Sequence, residues 1–150
     1  MMAEIHLIQA EADALLAMEK HRADEEMRLF PTGGEAISAP LQSVDKREVF
    51  LLDISRGRIN LAKIKMQNRA RQVVVLARLD LVGPPHRNPD GEDISCPHIH
   101  IYREDFGDKY AFALPSDIFT DQNDIWTKYQ EFLQFCNITL PPNVDKGLYA

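Results

Sequence analysis

The sequence predicts an α+β fold: an antiparallel strand meander flanked by an N-terminal and a C-terminal helix, in a single domain over residues 1–150. Three observations predict it. Apolar residues recur at helical spacing near both ends of the chain. The middle alternates apolar and polar residues between short turn-like clusters, as half-buried strands do. The strands follow one another without helical stretches between them, which separates α+β from the alternating pattern of a parallel α/β fold.

The first helix is expected over about Ile5 to His21. Ile8, Ala12, Leu15 and Leu16 form its apolar stripe. Glu4, Glu11 and Asp13 lie in its early turns and Lys20 and Arg22 at its end, as the helix dipole prefers. Pro31 and Gly33-Gly34 break the next stretch into short extended pieces. From Arg47 to Ile54, Phe50, Leu52 and Ile54 share one face. Ser55-Arg56-Gly57-Arg58 is a plausible hairpin turn, with Gly57 free to take positive φ. A strand returns over Ile59–Met66, and Gln67–Ala70 makes a second turn. Gln72–Leu81 is the most apolar strand and is expected to be central. Gly83, Pro84, Pro85, Pro89 and Gly91 mark a long loop. Pro97–Arg103 alternates as a strand, Asp105–Asp108 turns, and Lys109–Leu114 is the last strand. A second helix is expected over about Asn123–Cys136, with Ile125, Trp126, Tyr129, Phe132 and Leu133 on its apolar face. The tail after Pro141-Pro142 reads as irregular.

Composition narrows the class. The longest apolar run, Val73–Ala77, is far short of the ~20 residues of a membrane-spanning helix, and no signal peptide is visible at the N-terminus. Two cysteines, Cys96 and Cys136, read as free thiols in a cytoplasmic protein. The net charge is −6, yet residues 46–87 hold ten basic side chains against Glu48, Asp53 and Asp80. A basic middle between acidic ends can face a polyanion; it can equally be the Lys and Arg decoration that keeps strand edges from pairing.

His86, His98 and His100 fall within fifteen residues. On a strand, His98, His100 and Tyr102 would share a face, with the two histidine Cα atoms roughly 7 Å apart, while Ile99 and Ile101 face the core. His86 and Arg87 lie on the loop just before. Four readings compete. The pair could ligate a metal, with His86, Cys96, Asp90 or Asp93 completing the shell. It could supply the general base and acid of phosphodiester cleavage, with Arg78, Arg87, Arg103 or Lys109 holding the phosphate. The same surface could bind a protein or nucleic acid without catalysis. The histidines could also be satisfied by hydrogen bonds on a half-buried sheet face. No phosphate-binding glycine loop, dinucleotide fingerprint or G-x-S-x-G elbow occurs. Asn88–Asp93 lacks the ligand spacing of a calcium loop.

The runs Asp45-Lys46-Arg47, Arg69-Ala70-Arg71, Arg78-Leu79-Asp80, Pro85-His86-Arg87-Asn88-Pro89-Asp90-Gly91 and Cys96-Pro97-His98-Ile99-His100 resemble a family of small bacterial and phage proteins of unknown function. That resemblance extends from the first helix to Asn137-Ile138 and implies no activity. The order of an Arg-x-Asp strand, a histidine-containing loop and a Pro-His-x-His strand is similar to TumE-type toxins of toxin–antitoxin pairs over the middle third. It implies a small RNA-directed toxin, with an antitoxin or host protein as possible partner. The resulting expectation is metal-independent RNA cleavage without a cofactor. His98 and His100 share the acid–base work, with His86 as a third member. Arg78 and Arg87 neutralise the phosphate, Tyr102 stacks or positions, and Arg103 and Lys109 contact substrate. The alternative is a non-catalytic interaction protein of a phage or mobile element that inhibits a host defence system.

Overall fold

The computed structural model describes residues 6–147. Its centre is an eight-stranded, mostly antiparallel sheet with helices against one face. In chain order the elements are α1 (Gln9–Ala17), β1 (Lys20–Arg22), β2 (Met27–Leu29), β3 (Ala36–Ser43), β4 (Val49–Arg56), β5 (Ile64–Ala70) and β6 (Val74–Asp80). They continue with β7 (His86–Arg87), β8 (Asp93–Ile94), β9 (His98–Ile101), β10 (Ala111–Ala113), α2 (Ile125–Phe135), β11 (Ile138–Leu140) and β12 (Asn143–Asp145). The large sheet runs β10-β9-β6-β5-β4-β3-β1-β11, while β12–β2 and β7–β8 form two-stranded pairs. The α+β class and the antiparallel run from β4 to β6 are as the sequence pattern implies.

Alternation selects the core. Leu52 and Ile54 of β4, Ile64 and Met66 of β5, and Leu79 and Ile99 of the neighbouring strands are almost wholly buried. They meet Phe132 and Leu133 of α2 and Leu15 of α1 in one cluster. Trp126 is half-buried at its margin, edge-on to Phe30 with ring centroids 6.0 Å apart. Asp124 caps α2 by accepting from the Thr127 backbone N–H at 3.0 Å, which satisfies one of the helix's orphan donors.

Several boundaries differ from expectation. Within the described residues α1 is shorter than the apolar stripe suggests, and the expected start at Ile5 lies outside them. Its predicted last turn is instead β1, where Lys20 is fully buried. The Lys20 ammonium donates to the carbonyls of Leu16, Met18 and Cys136 at 2.8, 2.9 and 2.7 Å. β3 is a full strand paired with β4 along its length, not a set of short pieces. Pro40 fits within it because its main-chain polar edge faces away from β4, where its carbonyl accepts the Ala23 N–H at 3.0 Å just past the end of β1. The β4–β5 connection spans residues 57–63, so Gln67–Ala70 is strand rather than turn. Gly57 is needed there for close approach, since a Cβ would stand 2.6 Å from the Asn60 carbonyl oxygen. The β5–β6 turn is Arg71-Gln72-Val73, with Arg71 and Gln72 at φ of 50° and 68°. Strands also continue to Asp145: β11 pairs in parallel with β1, and β12 with β2.

Tyr102 does not line the histidine face. It is buried in the core cluster, and its hydroxyl donates to the Leu7 carbonyl and accepts from the Leu7 N–H, both at 2.9 Å. β9 ends at Ile101, so strand alternation does not reach it. Tyr102→Phe would leave both Leu7 backbone groups without that partner. The expected cost is about 1–3 kcal/mol, read as a lowered urea midpoint, whereas a substrate-stacking tyrosine would leave the midpoint unchanged.

Candidate functional site

A β-bulge determines which side chains meet. Asn68 of β5 faces Ala77 of β6, but Arg69 faces Val75, so Leu76 has no opposite number. Without the bulge, parity would send Arg78 the way of Val74 and Leu76, into the core. With it, Ala77 and Leu79 take the core positions, and Arg78 and Asp80 emerge on the opposite face. β9 then sets His100 opposite Arg78 and His98 opposite Asp80. Polar side chains thus lie in two rows across the sheet: Ser38, Asp53, Gln67, Arg78 and His100 in one, Ser55, Lys65, Asp80 and His98 in the next.

The expected pairing of His98 and His100 on one face holds, with ring centroids 5.0 Å apart. The His100 Nδ1–H donates to the Asp108 carbonyl at 2.8 Å. Its Nε2 lies 3.0 Å from Arg78 Nη2 and 3.3 Å from Asp80 Oδ2. His98 Nδ1 reaches the Ile94 carbonyl at 3.1 Å, and its Nε2 lies 3.3 Å from the same Asp80 oxygen. Arg78 donates through Nε to Asp80 Oδ1 and through Nη1 to Asp108 Oδ2, both at 3.0 Å. The ligand atoms of Asp80, His98 and His100 lie within 4.8 Å of one another. Burial alone would raise the Asp80 carboxyl. The contacts with His100 and Arg78 and the charge of the guanidinium outweigh it and hold the carboxyl well below the usual carboxylate range.

The stretch expected as plain loop is a roof over this cluster. β7 and β8 form a small hairpin with His86 opposite Ile94 and Arg87 opposite Asp93. Asn88, almost wholly buried, donates from Nδ2 to the Ala111 carbonyl at 3.0 Å and accepts the Ala111 N–H at 2.8 Å. This side chain completes the backbone pairing of the exposed edge of β10. The His86 ring stands 4.6 Å from that of His100, with Nε2 2.7 Å from the Lys109 carbonyl oxygen. His98 and His100 are consequently only 2% and 1% exposed.

The remaining candidates fall elsewhere. Arg87 pairs with Asp93 at 3.1 Å on the outside of the hairpin. Arg103 lies over the Tyr110 ring, 4.5 Å from its centroid. Lys109 contributes its carbonyl to the site, while the residue is exposed. Asp80, Asp108 and Asn88 are the members that sequence reasoning missed. The sequence shows Asp80 only as one acid in the basic middle and as the end of the Arg78-Leu79-Asp80 run. Asp108 and Asn88 enter through the β9–β10 and β7–β8 turns, for which alternation gives no signal. Half of the ten basic side chains are already engaged: Arg69 with Asp53, Arg71 with Glu11 and Glu48, Arg78 and Arg87 as above, and buried Arg56 with the carbonyls of Leu61 and Pro31. Cys96 and Cys136 are free thiols. Among the described residues no helix is long and apolar enough to cross a membrane.

Fold and site together define an α+β protein that carries a histidine–carboxylate–guanidinium cluster on one sheet face beneath a short hairpin. The chain belongs to the Family of unknown function (DUF6978), whose model matches residues 7–138. No curated protein and no solved structure matches it.

Asp80 also makes the cluster testable through stability. Its folded-state value lies below the ordinary 3.8. The stabilisation is therefore complete above that pH and is lost as pH falls through and below it. Urea unfolding at a series of pH values should show the wild type losing more stability than Asp80→Asn below about pH 4. Equal losses would mean that the cluster does not favour the charged carboxylate.

Proposed function

We propose that the protein cleaves phosphodiester bonds in RNA at the Asp80–His98–His100 cluster. The observation that carries this reading is the convergence of two imidazole Nε2 atoms on one carboxylate oxygen, with a guanidinium 3.0 Å from one of them. One histidine takes the proton of the attacking ribose 2′-hydroxyl, whose oxygen bonds to phosphorus as the P–O5′ bond breaks, the other protonates the departing 5′-oxygen, and Arg78 balances charge on the phosphorane. Substrate reaches them when the β7–β8 hairpin lifts. Lys65, exposed and opposite Asp80 in register, has no ion pair among those described and is placed to meet the adjoining phosphate. The similarity of the Arg-x-Asp and Pro-His-x-His strands to TumE-type toxins supports RNA as substrate and an antitoxin as partner.

A second reading is the interaction protein that blocks a host system. Val49 and Val73, both more than half exposed, flank Leu51 and Pro40 in an apolar depression on the open sheet face. The engagement of five basic side chains within the chain also leaves less charge for a nucleic-acid track.

Incubation of the full chain with structured and single-stranded RNAs separates the two. On the cleavage reading, His98→Ala or His100→Ala lowers the rate by about 10²–10⁴. Lys65→Ala raises KM and reduces the salt slope by about one, and Arg87→Ala changes little. No cleavage of any RNA, together with a stoichiometric protein partner whose binding Val49→Asp abolishes, would establish the interaction protein instead.

A further inference from the structure

We infer that Asp80 Oδ2, His98 Nε2 and His100 Nε2 form a binding site for one divalent transition-metal ion, zinc being the best fit. The inference goes beyond RNA cleavage and does not depend on it. It also departs from the metal-free chemistry that the sequence suggests.

Both Nε2 atoms stand 3.3 Å from Asp80 Oδ2. Ligands about 2.0–2.1 Å from a tetrahedral ion are about 3.4 Å from one another, so two of the three edges already have the required length. All three atoms lie within 4.8 Å, and closing the third edge needs only a small turn of either ring. The surroundings are arranged as around a metal. Each imidazole uses Nδ1 on a main-chain carbonyl, that of Ile94 or Asp108. This selects the tautomer whose Nε2 lone pair faces inward. The other oxygen of Asp80 accepts from Arg78 Nε at 3.0 Å, and Oδ2 takes only the longer Arg78 contact, from Nη2 at 3.4 Å.

Arg78 Nη2 lies 3.0 Å from His100 Nε2. The guanidinium is a rigid plane, so metal binding turns it as a unit: Nη2 leaves His100 Nε2 and Asp80 Oδ2 while Arg78 pivots on its Nη1 contact with Asp108. The place vacated by Nη2 is the open fourth position of a catalytic rather than a structural ion. Cys96 Sγ, 4.0 Å from His98 Nε2, does not belong to the three-ligand group.

The test uses the purified full chain, stripped with chelator and titrated with zinc and with cobalt(II), without RNA. One equivalent should bind per chain. Cobalt should give the visible bands of a four- or five-coordinate ion without a thiolate charge-transfer band. His98→Gln and His100→Gln should each weaken binding by at least about a hundredfold, judged against the 10–100-fold effect typical of outer-shell changes. Cys96→Ser should leave it intact. Should the histidine variants fail to fold, nitrogen-15 NMR of wild-type imidazoles decides: zinc should shift Nε2 of His98 and His100 and leave their Nδ1–H protons in place. Substoichiometric binding, shifts confined to other histidines, or binding abolished by Cys96→Ser would overturn the proposal. RNA cleavage is read separately, so a protein that binds zinc and cuts nothing would refute only the cleavage reading.

Discussion

Leu76 sits in β6 with no residue of β5 opposite it, and the side chains that make this protein distinctive meet because of that unpaired position. Strand alternation has period two, so one extra residue reverses the facing of everything beyond it. Val74 and Leu76 serve the core before the bulge, Ala77 and Leu79 after it. Arg78 and Asp80 are thereby delivered to the face where β9 presents His98 and His100. A strand of the same composition without the bulge would bury a guanidinium and a carboxylate among Met66, Ile99 and Phe132. The Leu76 carbonyl, displaced from regular β5 pairing, accepts the Tyr102 N–H at 2.9 Å. The same irregularity therefore helps turn Tyr102 towards the core.

Around that point the polar residues are arranged in layers. Asp80 holds two histidines and an arginine, Asp108 holds the far side of the arginine, and the hairpin covers both rings. A buried carboxylate and guanidinium are tolerated because each has several partners, since unpaired burial of either would cost several kcal/mol. Further along the row of Arg78 and His100 the device recurs closer to solvent, where Asp53 accepts from Ser38, Gln67 and Arg69. The open sheet face thus carries two hydrogen-bonded clusters, around Asp53 and Asp80, the more enclosed of them at the β6–β9 seam.

Much of the frame was legible in the sequence because it rests on local periodicity. Phe50, Leu52 and Ile54 of β4, Ile64 and Met66 of β5, and the face of α2 all follow patterns visible within a few residues. The shared face of His98 and His100 is legible for the same reason. What could not be read depends on pairing between distant segments. Gln67–Ala70 has the composition of a turn and becomes a strand because β4 and β6 flank it on both sides. Lys20 looks like the end of a helix, yet three carbonyls from two parts of the chain make it a buried strand residue. Asn88 looks like loop punctuation until the edge of β10 lies beside it. Tyr102 continues the alternation of His98 and His100 on paper, and Leu7, distant in sequence, claims it.

The parallel pairing of β1 with β11 has a consequence for biosynthesis. Lys20 N–H donates to the Asn137 carbonyl, and its ammonium reaches Cys136, so residues near the start of the chain wait for partners translated more than a hundred positions later. Until those emerge from the ribosome, β1 presents an unpaired edge, and the lysine destined for the interior remains hydrated. The β3–β6 meander can assemble early from neighbouring hairpins, but closure of the sheet is a late, long-range event of the kind that slows folding. A nascent chain in this state exposes a strand edge to chaperones, or to a second nascent copy.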